Sequence, residues 1–499
     1  MSEFRLSAAT PGSGAVRTLL NARLAGEDAL VDIEMTDAAI TAIRPARFAA
    51  TRGEATDLDG RVVVPGLWDH HVHFTMWSIA STRVDVSGAT SPAQAARIVQ
   101  SAAADAELVV GVGFRDALWA EVPSAEVLDV ALGERPTVLV SADLHSTWLN
   151  SAAMWRFNVD PGFGGLLREE DAFRVQKLLD EVPDYVSDRW ASEAADAAAA
   201  RGVVGITDME MTWNRDVWAR RAQAGATQLR VRFGIYSQDL ERAVAERMHT
   251  GQLIPHAHGL VSVGPFKVIT DGSLNTRTAY CDDAYAGVSG PSATGILNVS
   301  SERLHALMSR ATAAGLDCAV HAIGDRAIGL ALDAFRDTGA RGSIEHAQLV
   351  RPDDVQRMRE LGVTASVQPE HAMDDRDIAD REWPGRTGRA FQLRSFLDAG
   401  VPLALGSDAP VAPLDPWTGI ASAVTRSRDG RQPWHPEQRI TAREALAAST
   451  RLGRIAPQQG DLADLAILDN DPLRTPAESL RTMPVSGTLL GGRWTHSTL

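Results

Sequence analysis

Between residues 203 and 408, short apolar runs and helical patterns take turns along the chain. Such alternation commits the strands to a parallel sheet, because each helix must carry the chain back before the next strand begins. The runs fall at 203–209, 229–236, 264–271, 317–321, 343–346, 363–368 and 402–408, with helical patterns between most of them, as at 301–314 and 326–337. An earlier strand, fed by the apolar run 61–67 and ending at His73, makes eight, the strand number of a (β/α)8 TIM barrel. Residues 75–200 are far too long for one connection. They contain strand-like 108–113 and 138–142 and several helices, so an α+β insertion after the first barrel strand is expected, covering the barrel mouth. Either of those two strands is an alternative member of the barrel.

Both ends of the chain are β-rich, at 15–20, 28–34, 39–43 and 56–64 and again at 463–469, 485–490 and 492–494. The economical arrangement is a β-sandwich domain built from 1–65 and 456–499, with the barrel, 66–455, inserted between its halves. A length of 499 residues accommodates a barrel and a companion. The net charge of -15, with no basic stretch, argues against a nucleic-acid partner. Cys281 and Cys318 make no disulfide framework, which fits a reducing cytoplasm. The first residues show no signal peptide, and no apolar run approaches the roughly 20 residues of a membrane span. A cytoplasmic protein acting on a small molecule is expected, without nucleic-acid or membrane partners and compatible with a homo-oligomer.

Polar residues recur where the strands end, the face on which such barrels carry their chemistry. His71 and His73 are two apart, so on a strand they share a face and can share a metal ion. Lys267 lies in the fourth strand, and His321, His346 and Asp408 end the fifth, sixth and eighth. Each has an ordinary explanation. A strand-end histidine is usually a hydrogen-bonded core or solvated residue, Lys267 could pair with Asp271 or Glu210, and Asp408 could cap a helix. Six such residues at five strand ends favour a shared metal centre over separate accidents. Asp271, Asp325 and Glu345 are candidate partners for ligating histidines, though salt bridges explain them about as well. Trp77 and Trp119 are candidate walls of an apolar pocket, His145 and Glu169 could reach the site from the insertion, and His371 could contact a leaving group.

The order HxH, Lys, His, His, Asp resembles the amidohydrolase superfamily. The words around it, PGLWDHHVH from Pro65, KVITDGS from Lys267, HAIGDRA from His321, IEHAQ from Ile344 and GSDAPV from Gly406, resemble its amidohydrolase-3 branch, which includes N-substituted formamide deformylases. GLLRE from Gly165 and DLADLAILD from Asp461 extend the likeness over nearly the whole chain. His70 departs from the pattern, because many relatives carry a small residue there, and its side chain should face away from its neighbours. The resemblance implies a carbamylated Lys267 bridging two divalent ions, zinc being the best match to such ligands and iron, manganese or cobalt alternatives. His71, His73 and Asp408 would hold the first ion and His321 and His346 the second, with a single ion and an unmodified lysine as the other arrangement. Asp408 would also be catalytic, taking a proton from the hydroxide-forming water and passing it to the leaving nitrogen.

The leading expectation is therefore a metal-dependent hydrolase of an amide, N-acyl or N-formyl C–N bond in a bulky apolar or aromatic substrate. Hydrolysis of an ester, lactone, cyclic imide or carbamate on the same site is the rival. A catalytically silent regulatory relative is disfavoured by the intact ligand set, and a nucleic-acid deaminase by the missing H-x-E…P-C-x-x-C signature.

Overall fold

Branched and aromatic residues fill the runs that become the strands of one parallel sheet. In chain order these are β1 (Leu67–Val72), β2 (Val203–Asp208), β3 (Arg230–Tyr236), β4 (Val261–Ile269), β5 (Cys318–Ala322), β6 (Gly342–His346), β7 (Thr364–Val367) and β8 (Leu403–Leu405). The computed structural model describes residues 16–46, 53–102, 107–116, 119–141 and 146–499. Each barrel strand pairs with its successor in sequence, as right-handed βαβ units require. The ring closes just past the ends of β8 and β1. The Asp408 amide donates to the His71 carbonyl at 2.7 Å, and the His73 amide to the Ala409 carbonyl at 2.8 Å. The protein is thus an α/β barrel with additional structure.

Strands from both ends of the chain join one further sheet of eight strands. Its core brings Leu19, Ile33 and Ile40 from the N-terminal part together with Leu465, Ile467 and Leu489 from the C-terminal part. The run 61–67 does not lead straight into the histidines as one strand. Val62–Pro65 belongs to this terminal sheet, where it pairs antiparallel with Leu465–Leu468, and β1 begins only at Leu67. Gly66 makes the passage between the two sheets. A Cβ there would lie 2.2 Å from Val204 Cγ1, so no larger residue fits. Arg230 on β3 ties the barrel to the terminal sheet through a two-pronged ion pair with Asp464, at 2.6 and 3.0 Å.

Residues Thr75–Ala194 fold as a separate compact unit. Its five-stranded sheet contains Val109–Phe114 and Thr137–Ser141, so both strand-like stretches lie outside the barrel sheet. Alternate residues of Thr137–Ser141 serve two cores. Leu139 packs with Phe114 and Trp148, whereas Val138 and Val140 pack with Leu149 and Leu167. Among the described residues no helix is long and apolar enough to cross a membrane.

Candidate metal centre

β1 is buried on both sides, and its tip delivers His71 and His73 to the rim of the barrel. β6 delivers His346, β5 His321 and β4 Lys267, whereas Asp408 follows β8 by three residues. Two of these ends adopt backbone conformations that L-residues avoid. His346 has φ 73° and Asp408 φ 56°, in the left-handed region where a Cβ crowds its own backbone. Such strain persists where surrounding structure enforces it, and both residues belong to the cluster His71, His346 and Asp408. Gly406 completes the fit. A Cβ on it would meet the His71 amide nitrogen at 2.6 Å and His71 Cβ at 2.9 Å.

The side chains converge. Asp408 Oδ1 lies 3.5 Å from His71 Nε2 and 3.4 Å from His73 Nε2. The His346 ring centroid is 5.0 Å from that of His71 and 4.6 Å from that of His321. Among the described residues, His71, His346 and Asp408 each offer one ligand atom within 4.8 Å of the others. Lys267, 2% exposed, belongs to the same centre, because its charge acts on the imidazoles of His71, His73, His321 and His346.

Partners behind the imidazoles leave ligand atoms facing inward. His71 Nδ1–H donates to Glu345 Oε2 at 2.6 Å, and the other Glu345 oxygen accepts from the Ser343 hydroxyl. His346 Nδ1–H donates to Gln368 Oε1 at 2.9 Å, and His321 Nε2–H to the Asp271 carbonyl at 3.1 Å. A ring nitrogen so held presents the opposite lone pair, the arrangement that orients metal-ligating histidines. Asp69 anchors the seam by accepting from the amides of His71 and Ser407, each at 3.0 Å.

The electrostatics agree with a cation among these groups. Burial, aided by Lys267, holds His71 below the usual imidazole range. Burial also pushes His321 and His346 well below it, so these rings are neutral, the ligating form. Burial works against the charged form of Asp408, but the neighbouring His71 and the hydrogen bond from His73 outweigh it and keep the carboxylate ionised. His73 Nδ1 and His371 Nε2 are buried without a hydrogen-bond partner among the described residues, which is costly unless something else satisfies them. Neutral His71, His321 and His346 around an ionised carboxylate make a donor set suited to a divalent ion of the zinc type, whereas at His73 the effect of burial is outweighed by Asp408, which holds the ring above the usual imidazole range.

The other candidates are distributed differently. His371 opens the helix His371–Glu382, its Nε2 3.9 Å from Asp408 Oδ2 and its ring stacked 6.3 Å from that of His346. Trp119 packs on Phe114 and Trp148 in the core of the inserted unit, and its ring N–H donates to the Ala89 carbonyl at 3.0 Å. Trp77 sits half-buried in the helix Phe74–Ala80. His145 and the side chain of Glu169 lie outside the described residues. Asp271 braces the centre by accepting from the Tyr280, Ile323 and Gly324 amides, and burial pushes its carboxyl up to about 7. Asp325 pairs with Arg389 at 2.9 Å rather than with a histidine. His70 is held away from the centre, where burial and Arg232 lower it to about 4. Sequence reasoning gave no role to Gln368 or Asp69. The position of Gln368 directly after β7 was the one available signal.

A closed parallel barrel with imidazoles, a lysine and an aspartate gathered at its rim defines the class of metal-dependent barrel hydrolases. The chain belongs to the amidohydrolase family, whose model matches residues 54–496. It is 28% identical to the protein LONG AFTER FAR-RED 3 of Arabidopsis thaliana, over 98% of this chain and 93% of that one. To the N-substituted formamide deformylase of Arthrobacter pascens it is 27% identical, over 89% of this chain and 90% of that one. Among solved structures, an uncharacterized metal-dependent hydrolase from Pyrococcus horikoshii OT3 superposes with a TM-score of 0.79 at 24% identity, covering 93% of this chain and 99% of that one. The protein is accordingly a hydrolase of this family.

Proposed function

We propose that the protein hydrolyses a non-peptide C–N bond, an amide, N-acyl or N-formyl group, in a small substrate with a bulky apolar or aromatic part. The observation that carries this is the convergence of His71, His346 and Asp408 to within 4.8 Å, with an acceptor fixing each imidazole from behind. The likeness to a formamide deformylase over most of both chains supports the bond type. His71, His73 and Asp408 would hold one divalent ion and His321 and His346 a second, with Lys267, carbamylated, between them. Bound there, such ions would acidify a water and polarise a carbonyl.

The remaining chemistry is the protein's own. The carboxylate of Asp408, ionised and 3.4 Å from His73 Nε2, accepts the proton of the attacking water. The same carboxyl then delivers that proton to the departing nitrogen, which leaves as a neutral amine. Glu345 and Gln368 keep His71 and His346 from rotating out of position during turnover. A panel of formamides, longer amides and matched esters, assayed with chelator-stripped and metal-reconstituted protein, tests the proposal. Metal-dependent turnover of amides is expected, and turnover of esters alone would overturn it.

A further inference from the structure

Away from the metal centre, residues 428–434 run alongside the helix His371–Glu382 in constant register. Arg428 pairs with Asp374 at 2.7 Å, Arg431 with Asp377 at 2.6 Å, and the Trp434 ring N–H with Asp380 at 3.1 Å, each 54 residues apart in sequence. Arg428 also reaches Glu370 at 2.8 Å. At the root of this strap one arginine, Arg426, makes no ion pair with a carboxylate among the described residues.

Arg426 follows the helix Pro416–Thr425 and is 0% exposed. Its Nε donates to the Trp434 carbonyl at 3.1 Å, and its guanidinium carbon lies 5.5 Å from the centroid of the Trp434 ring. Nη1 and Nη2 are buried and have no hydrogen-bond partner among the described residues. The guanidinium of Arg376, whose charge acts on Arg426, likewise has a buried, unpartnered Nε, while its Nη1 donates to the Gln432 carbonyl at 2.9 Å. Glu437 is the acid whose charge acts on Arg426, but it is largely exposed and bonded to His435 Nδ1 at 2.8 Å. Water would satisfy the N–H groups yet leave the charge of fully buried Arg426 without an ion-pair partner among the described residues. An anion satisfies both the donors and the charge.

We propose that buried Arg426, together with half-buried Arg376, binds a small monovalent anion, of halide type, that pins the strap to the helix carrying His371. One negative charge is what the site needs, since the neighbouring arginines of the strap are already matched. The donors available, two Nη groups and one Nε, suit a spherical ion that accepts from several directions.

Crystals grown in bromide test this directly, with an anomalous peak expected within hydrogen-bonding reach of both Arg426 Nη atoms. Ordered water alone at that point would overturn the proposal. In solution, the thermal midpoint of the wild-type protein should be higher in chloride than in gluconate at equal ionic strength, and Arg426→Met should abolish the difference. If Arg426→Met fails to fold, Arg376→Gln serves instead and should weaken the chloride effect. A wild-type midpoint equal in the two salts, or a chloride effect that survives the substitution, refutes the site. A bromide peak without any anion dependence of stability means an adventitious ion only and also refutes it.

Discussion

Replacing Glu345 by Gln tests whether the centre is organised from behind. The carboxylate accepts from His71 Nδ1 at 2.6 Å, and both side chains are nearly inaccessible, 1% and 2% exposed. Gln keeps a carbonyl oxygen at this position but removes the negative charge that makes His71 Nε2 a stronger donor. Losing such a partner typically costs 10- to 100-fold in metal affinity, or about 1.4–2.7 kcal/mol. Glu345→Ala should cost more, because it leaves a buried N–H without an acceptor. The assay is competition for zinc against a chelator of known affinity, with circular dichroism confirming that the variants fold. Burial opposes ionisation of Glu345, yet the His71 hydrogen bond and the nearby charges bring its carboxyl down to about 2 from its ordinary 4.5. Because the folded value is depressed, the stabilisation is fully present above pH 4.5 and is lost as pH falls towards 2. Glu345→Gln should therefore flatten the acid limb of the stability profile. Wild-type zinc affinity in a folded Glu345→Gln protein would refute the reasoning.

Three further substitutions probe other parts of the centre. Asp408→Asn should retain metal and lose nearly all hydrolysis, and unchanged turnover would remove Asp408 from the proton path. Lys267→Ala should bind about one ion fewer by elemental analysis, and retention of two would exclude a bridging role. Gly406→Ala should destabilise the fold by about 1–3 kcal/mol in denaturant titration, since the new methyl must displace the His71 backbone; a neutral effect would mean that the seam between β8 and β1 yields easily.

The eight barrel strands were legible because they are short apolar runs ended by polar residues, most of them followed by a helical pattern. The metal-centre candidates were legible for a related reason. Function concentrates at strand ends, and His, Lys and Asp there have few structural duties. The split at Gly66 was harder to see. Two adjoining apolar runs look alike in sequence, and only the partners across each sheet, Leu465–Leu468 for one and β2 for the other, separate them. The braces behind the histidines were partly hidden, because a side chain's partner 274 residues away, as Glu345 is from His71, leaves no local trace. Trp119 shows the opposite problem. Its aromatic ring fits a substrate pocket and a hydrophobic core equally well in sequence, and its neighbours Phe114 and Trp148 place it in a core.

The hydrogen bonds at the seam between β8 and β1 set a condition on biosynthesis. Asp69 accepts from Ser407 across 338 residues, so the first imidazoles to leave the ribosome wait for most of the polypeptide before their aspartate arrives. A chain halted before Asp408 has neither a closed ring nor the carboxylate of the cluster. The full set of converging side chains can therefore assemble only once the chain extends past Asp408.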